Sequence, residues 1–181
     1  MQHYHAILTA PFSSAKLGIR MQGAALCALD FVAPEIDDLP AENSDVANVA
    51  QQLRRYFSDP AYVFSMPLAC TGTPFQQRVW QALREVPAGQ PCRYGDLARR
   101  LSSGARAVGG ACRANPVPIV VPCHRVVSAT GLGGYSGVPQ GFSPEVASGI
   151  LPLVTLAEPF AGALPCAALA IKRWLLDHER G

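Results

Sequence analysis

The sequence predicts an α+β protein, with a small β-rich unit over residues 1–70 and a mostly helical unit over residues 71–181. Three observations predict it. Alternating, β-branched character concentrates before residue 70, apolar repeats of helical period with capping signals dominate after it, and the charge changes sign at the same place. Residues 1–70 hold four Lys/Arg against seven Asp/Glu (net −3), residues 71–137 hold eight Arg, no Lys and two acids (net +6), and residues 138–181 carry net −1. With 181 residues the chain can bury a core. Its composition, 49% apolar and 15% charged, excludes a disordered or collagen-like protein. A local basic excess made wholly of arginine suits a phosphate-bearing partner for the middle of the chain; the plainer alternative is a solvated charged face.

Strands are expected over residues 4–9 and 17–32, with Gly18 and Gly23 as turn or bulge positions. Residues 34–43 form an acidic, proline-containing loop. An amphipathic helix follows over 45–57, placing Val46, Val49, Leu53 and Phe57 (or Tyr56) on one side. His3, His5 and Cys27 have donor atoms for a metal, yet they read as ordinary surface and core residues.

Thr73-Pro74-Phe75-Gln76 starts a helix with three agreeing signals: Thr at the N-cap, Pro in the first turn and Gln three residues after the cap. Phe75, Val79, Ala82, Leu83 and Val86 then form its core-facing stripe, and Pro87-Ala88-Gly89 ends it. A short helix over 94–101, a Ser102-Ser103-Gly104 turn and a helical segment over 105–114 have the spacing of a helix-turn-helix unit. That last segment is nearly all small residues with two arginines. Each of Gly109 and Gly110 costs a helix interior ~1 kcal/mol relative to Ala, so something must approach the backbone there. It is either a neighbouring helix or, in the preferred reading, a nucleic-acid backbone in a groove, with Arg106 and Arg113 reaching phosphates or bases.

Six cysteines show no Cys-x-x-Cys pair, and the start, Met1-Gln2-His3-Tyr4-His5, lacks the features of a signal peptide. Reduced thiols in a cytoplasmic protein are the expectation. The stretch 150–171 carries a single charge, Glu158, but Pro152, Pro159 and Pro165 interrupt it, so no membrane span is expected.

Chemistry concentrates at residues 115–127. Three prolines around a strand-like apolar run deliver Cys123 beside His124. A nucleophilic cysteine needs a base or positive charge nearby, because the thiolate is the reactive form. Neighbours in an extended chain point to opposite sides, so His124 should reach Cys123 around a bend or through a bridging water rather than directly. His124 in turn needs an orienting acceptor from elsewhere in the chain.

The runs Ala105-Arg106-Ala107-Val108-Gly109-Gly110-Ala111, Asn115-Pro116-Val117-Pro118-Ile119 and Pro122-Cys123-His124-Arg125-Val126-Val127 strongly resemble the signature of the O6-alkylguanine-DNA alkyltransferases. The resemblance extends to Gly72-Thr73-Pro74-Phe75-Gln76-Gln77, Val79-Trp80-Gln81-Ala82-Leu83, Gly134-Tyr135-Ser136-Gly137 and residues 169–179, about half of the chain, and touches the first seventy residues only loosely. It implies a ribonuclease-H-like N-terminal domain (1–70) and a winged-helix-like DNA-binding and alkyl-transfer domain (71–181). It further implies a monomeric, cytoplasmic repair protein with access to chromosomal DNA, no cofactor and no metal. The alkyl group of O6-alkylguanine, and of O4-alkylthymine, would pass irreversibly to Cys123, once per chain.

By position in the motifs, the resemblance makes His124 the water-linked base, Glu179 the carboxylate that orients it, and Asn115 the brace of the turn before the cysteine. Tyr94 becomes the proton donor to the departing guanine. Arg106 takes the place of the extruded nucleotide in the minor groove of double-stranded DNA, with Ala105, Ala107, Gly109, Gly110, Arg113 and Arg125 on the DNA side. Tyr135, Ser136, the Val126 backbone and Cys112 line the base pocket. Two departures stand out. Cys123 to Tyr135 is one residue shorter than is usual in the family, and residues 138–168 insert 31 residues, five of them Pro, before the last helix. The rival readings are an alkyltransferase-like lesion binder without transfer, if that insertion blocks the pocket, a multiple-turnover Cys-His hydrolase, and a helix-turn-helix regulator.

Overall fold

The computed structural model describes residues 3–134 and 164–181, the side chains of 164–167 excepted. Its described part mixes small sheets and helices. Strands β1 (Ala6–Thr9), β2 (Lys16–Gln22) and β3 (Ala25–Val32) form an antiparallel sheet in the order β1-β2-β3. The stretch expected over 17–32 divides into two strands at Gly23, one of the two expected turn positions, whose φ of +60 lets the chain reverse. The irregularity in the β2–β3 register falls between Arg20 and Met21, not at a glycine. Gly18 lies mid-strand, where a Cβ would come within 2.5 Å of the Tyr4 ring, so it is kept small by an aromatic packed over it rather than by a turn.

Helix α1 (Ser44–Ser58) begins at Asn43, whose side chain accepts from Asp45 N and Val46 N. It buries Val46, Val49, Leu53 and Tyr56 against the sheet, while Phe57 is only partly covered. In α2 (Pro74–Arg84) the capping box is complete: Gln76 N donates to Thr73 Oγ1 and Thr73 N to Gln76 Oε1. The indole N–H of Trp80, which the periodic stripe had passed over, donates to the Ala111 carbonyl at 2.8 Å in the interior. That bond ties α2 to the helical segment that holds Ala111.

Helices α3 (Tyr94–Arg100) and α4 (Ala105–Arg113) are joined by a turn in which Ser102 takes φ 50. Ahead of α3 the short strand β4 (Cys92–Arg93) pairs in parallel with β5 (Val126–Val127). The last helix, α5 (Leu164–His178), starts inside the stretch expected as an insertion, so residues 164–168 belong to the helix; residues 138–163 lie outside the described part. The segment expected to be strand-like before Cys123 is instead a chain of turns closing in a 3-10 turn at Cys123–Arg125. Its prolines lack ladder donors and Ile119 sits at φ 73, which no strand accommodates.

Buried apolar side chains form one cluster from Leu17, Ile19 and Leu29 through Leu53, Leu83 and Val108 to Val117 and Leu175. A backbone bond from Leu29 N to Pro116 O (2.9 Å) fastens β3 to the segment that leads to Cys123. Trp80→Phe should lower stability by about 1–3 kcal/mol, since the Ala111 carbonyl loses its buried donor; urea unfolding measures it.

Candidate active site

Cys123 is buried at the head of the 3-10 turn. Its sulfur receives a hydrogen bond from Asn115 Nδ2 at 3.3 Å, and the same amide nitrogen donates to Val121 O at 2.7 Å. Asn115 Oδ1 accepts from Val117 N, so one buried side chain clamps both ends of the Pro116–Pro122 arc. Cys123 N donates to Val121 O, and Val121 N to Val117 O. Burial pushes the Cys123 thiol above its ordinary range, against smaller downward pulls from the Asn115 bond and the charge of Lys172. The resting sulfur is therefore a thiol, and it would have to give up its proton to act as a nucleophile.

His124 is fully buried, its Nε2 2.9 Å from Glu179 Oε1. A carboxylate only accepts, so Nε2 carries the proton and Nδ1 of the neutral ring is bare. Nδ1 is the buried side-chain atom without a hydrogen-bond partner among the described residues. Burial depresses the His124 pKa, opposed by the bond and charge of Glu179. Glu179 lies one residue beyond α5, held by its N–H to Leu175 O. Its desolvation alone would raise the pKa; the bonds from His124 and Arg125 overcome that and bring it down to about 2.

Arg125, expected on the DNA side, points inward instead. Its Nε and Nη2 grip Glu179 at 2.9 and 2.8 Å, and Nη1 donates to Val86 O at 2.6 Å. A guanidinium beside a buried carboxylate makes a paired, charge-assisted fork that no exposed phosphate contact could displace cheaply. Two further donors reach the same carboxylate: the Tyr56 hydroxyl at 2.8 Å and Gly89 N at 3.4 Å.

Lys172 was missed in the sequence, although it falls on the same face of α5 as Ala168, Ile171, Leu175 and Leu176, where an apolar residue belongs. Its buried ammonium donates to Val126 O (2.8 Å), Leu132 O (2.6 Å) and Gly134 O (3.0 Å), and lies 5.9 Å from the centre of the Tyr94 ring. Burial lowers its pKa to about 8. Tyr94 is half-buried, donates to Gly134 O at 3.3 Å and, chiefly by burial, keeps its proton well above the usual phenol range. Val126, expected to read a base through its backbone, has its N–H on Cys123 O and its C=O on Lys172, and it also pairs with Cys92 in the β4–β5 ladder. Cys112 is buried, its thiol pushed up to about 12 mainly by burial. Tyr135 and Ser136 lie outside the described residues.

On α4, Ala105, Arg106, Ala107, Gly110 and Arg113 are exposed and Gly109 is half-covered. Among the described residues a Cβ at Gly109 or Gly110 would meet nothing within 4 Å, so no described helix explains these glycines. Far from this site, His3, His5 and Glu42 bring three donor groups together, with His3 Nε2 2.9 Å from Glu42 Oε1. His5 Nδ1, however, accepts from Met21 N, which places the proton of the neutral ring on Nε2, the nitrogen a metal would need bare.

The family described as "6-O-methylguanine DNA methyltransferase, DNA binding domain" matches residues 74–148. The methylated-DNA–protein-cysteine methyltransferase of Haemophilus influenzae is 38% identical over 136 residues, which cover 68% of this chain and 76% of that protein. The chain belongs to this methyltransferase family. The constitutive methyltransferase of Bacillus subtilis is 46% identical over 99 residues, covering 53% of this chain and 60% of that protein. Against this relative, and those of Mycobacterium leprae (60%) and Shigella flexneri (54%), the matched chain spans less than two thirds of their length. The structure of Mycobacterium tuberculosis O6-methylguanine methyltransferase in complex with DNA superposes with TM-score 0.68 at 30% identity, covering 99% of this chain and 93% of that one. The likeness in fold therefore takes in the first seventy residues, which the family description leaves out.

Gly89 joins fold to site in this family member. Its φ is +71, and a Cβ would stand 2.6 Å from the Glu179 carbonyl. Gly89→Ala should cost about 2 kcal/mol or more through backbone strain and displacement of residue 179, read as a lowered Tm. Lys172→Met should remove the ammonium from Val126 O and Leu132 O, leave Gly134 O with the Tyr94 hydroxyl alone, and cost about 2–4 kcal/mol, with amide exchange at 132–134 reporting the loosened loop.

Proposed function

We propose that this chain repairs O6-alkylguanine in DNA by taking the alkyl group onto Cys123, once per chain, with O4-alkylthymine as a further substrate. The observation that carries it is the buried series Cys123, His124 and Glu179, ending in a bare imidazole nitrogen, on a family scaffold. As Cys123 gives its proton to His124 Nδ1 through a bridging water, the sulfur attacks the alkyl carbon. The S–C bond forms, the C–O6 bond breaks, its electron pair stays on the guanine oxygen, and Tyr94 supplies the proton the departing base takes up. The product is a thioether, whose sulfur is a poor leaving group. Each chain therefore stops after one transfer.

Arg106 and the small-residue face of α4 suit a partner that presses on the helix from outside. The reading is that α4 enters the minor groove of a duplex, with Arg106 filling the gap left by the extruded base and Arg113 on the backbone. Helices α3 and α4 with the β4–β5 pair make the winged-helix-like reader, and the three-stranded sheet with α1 the ribonuclease-H-like companion, divided at residue 70. The protein works as a cytoplasmic monomer on this view, and its five described cysteines are free thiols. No helix among the described residues is long and apolar enough to cross a membrane.

The test is a duplex with radiolabelled O6-methylguanine. One methyl group per chain is expected, and none with Cys123→Ala; retained binding without transfer would make the protein a lesion sensor, and repeated turnover a hydrolase. Arg106→Ala should slow transfer from the duplex at least about tenfold while leaving transfer from free O6-methylguanine intact, because only the duplex requires a few kcal/mol of base extrusion.

A further inference from the structure

The carboxylate of Glu179 is addressed from the N-terminal part of the chain as well as from its own surroundings. Tyr56 on α1 is wholly buried, 123 residues away in sequence, and its hydroxyl donates to Oε1 at 2.8 Å. That is the oxygen on which His124 Nε2 rests at 2.9 Å. The Tyr56 backbone is fixed as well: its carbonyl accepts from His178 Nε2 at 2.9 Å, one residue before Glu179. Its ring packs on Phe57, Phe64 and His178. The fit of the ring explains a buried aromatic; it does not explain why a hydroxyl is aimed at the one oxygen that orients the base.

We propose that Tyr56 is a positioning residue of the alkyl-transfer site, acting through Glu179 to hold His124 in place and to moderate its basicity. The role rests on the alkyl-transfer reading above. The Tyr56 hydroxyl, the His124 N–H and Arg125 Nη2 (2.8 Å) all bond this one carboxylate oxygen and compete for its electron density. When the tyrosine donates, less is left for the imidazole N–H, and the ring holds an added proton less tightly. The charged groups facing this pair are Arg125 from the 3-10 turn and Lys172 from α5, both of which also disfavour imidazolium, with Gly89 N as the remaining donor to the carboxylate. His124 must be neutral to accept the thiol proton, so transfer should fall as the pH drops through its pKa.

The experiment measures single-turnover transfer from a saturating O6-methylguanine duplex across the acid range for the unaltered chain, for Tyr56→Phe, and for a chain with 2,3-difluorotyrosine at position 56. The phenylalanine keeps the ring and loses the donor; the fluorinated phenol is a stronger donor of nearly the same shape. The acid limb is expected to move up by about half a pH unit with Tyr56→Phe and down with the fluorinated residue. DNA affinity and the final yield of one methyl group per chain should stay unchanged. A purely packing role would lower Tm and leave the limb where it was, so limbs that superpose in both variants overturn the proposal. Should Tyr56→Phe fail to fold, the fluorinated chain decides alone, a downward shift supporting the role and no shift overturning it. If the unaltered chain itself transfers nothing, the alkyl-transfer reading falls first and takes this role with it.

Discussion

The structure depends on keeping one carboxylate ionised in the interior. Glu179 carries a charge where water does not reach, and an uncompensated charge there would cost several kcal/mol. Its donors come from α1 through Tyr56, from the turn after α2 through Gly89, and from the 3-10 turn through His124 and Arg125. Separate parts of the fold are drawn to one point because each supplies a piece of that compensation. With the carboxylate satisfied, the imidazole cannot turn over, and its free nitrogen has a single place to face.

A second constraint acts on the cysteine. Residues 115–123 are bent tightly enough to force a β-branched residue, Ile119, to φ 73, a strain of about 1–3 kcal/mol. It persists because the arc is held at both ends: Asn115 grips Val117, Val121 and the sulfur, while Leu29 N holds Pro116 from the sheet. A rigid mount suits a nucleophile whose partner is presented from outside, since alignment need not then be found by the sulfur.

Local signals were legible in the sequence. The capping box at Thr73, the period of α1, the three-residue turn before α4 and the motif around Cys123 each depend on neighbours a few residues apart. What was not legible depends on contacts across the chain. Arg125 was placed on the DNA side by its position in the motif, yet its direction is set by a carboxylate 54 residues further on. Tyr56 appeared only as one of two alternatives for a helix face. The apolar run before Cys123 suggested a strand, whereas the positive φ of Ile119 has no signature in a β-branched residue. Lys172 alone left a trace that could have been read, a charge in an apolar stripe.

The Leu29–Pro116 bond has a bearing on what counts as the smallest working unit. A fragment cut at residue 71 would keep every letter of the recognisable motif, from Thr73 to Glu179, and would lose the amide that anchors the bent arm from behind. Motif and machine are thus of different sizes here: the residues that name the chemistry occupy little more than half the chain, and the parts that keep them aligned take up the remainder.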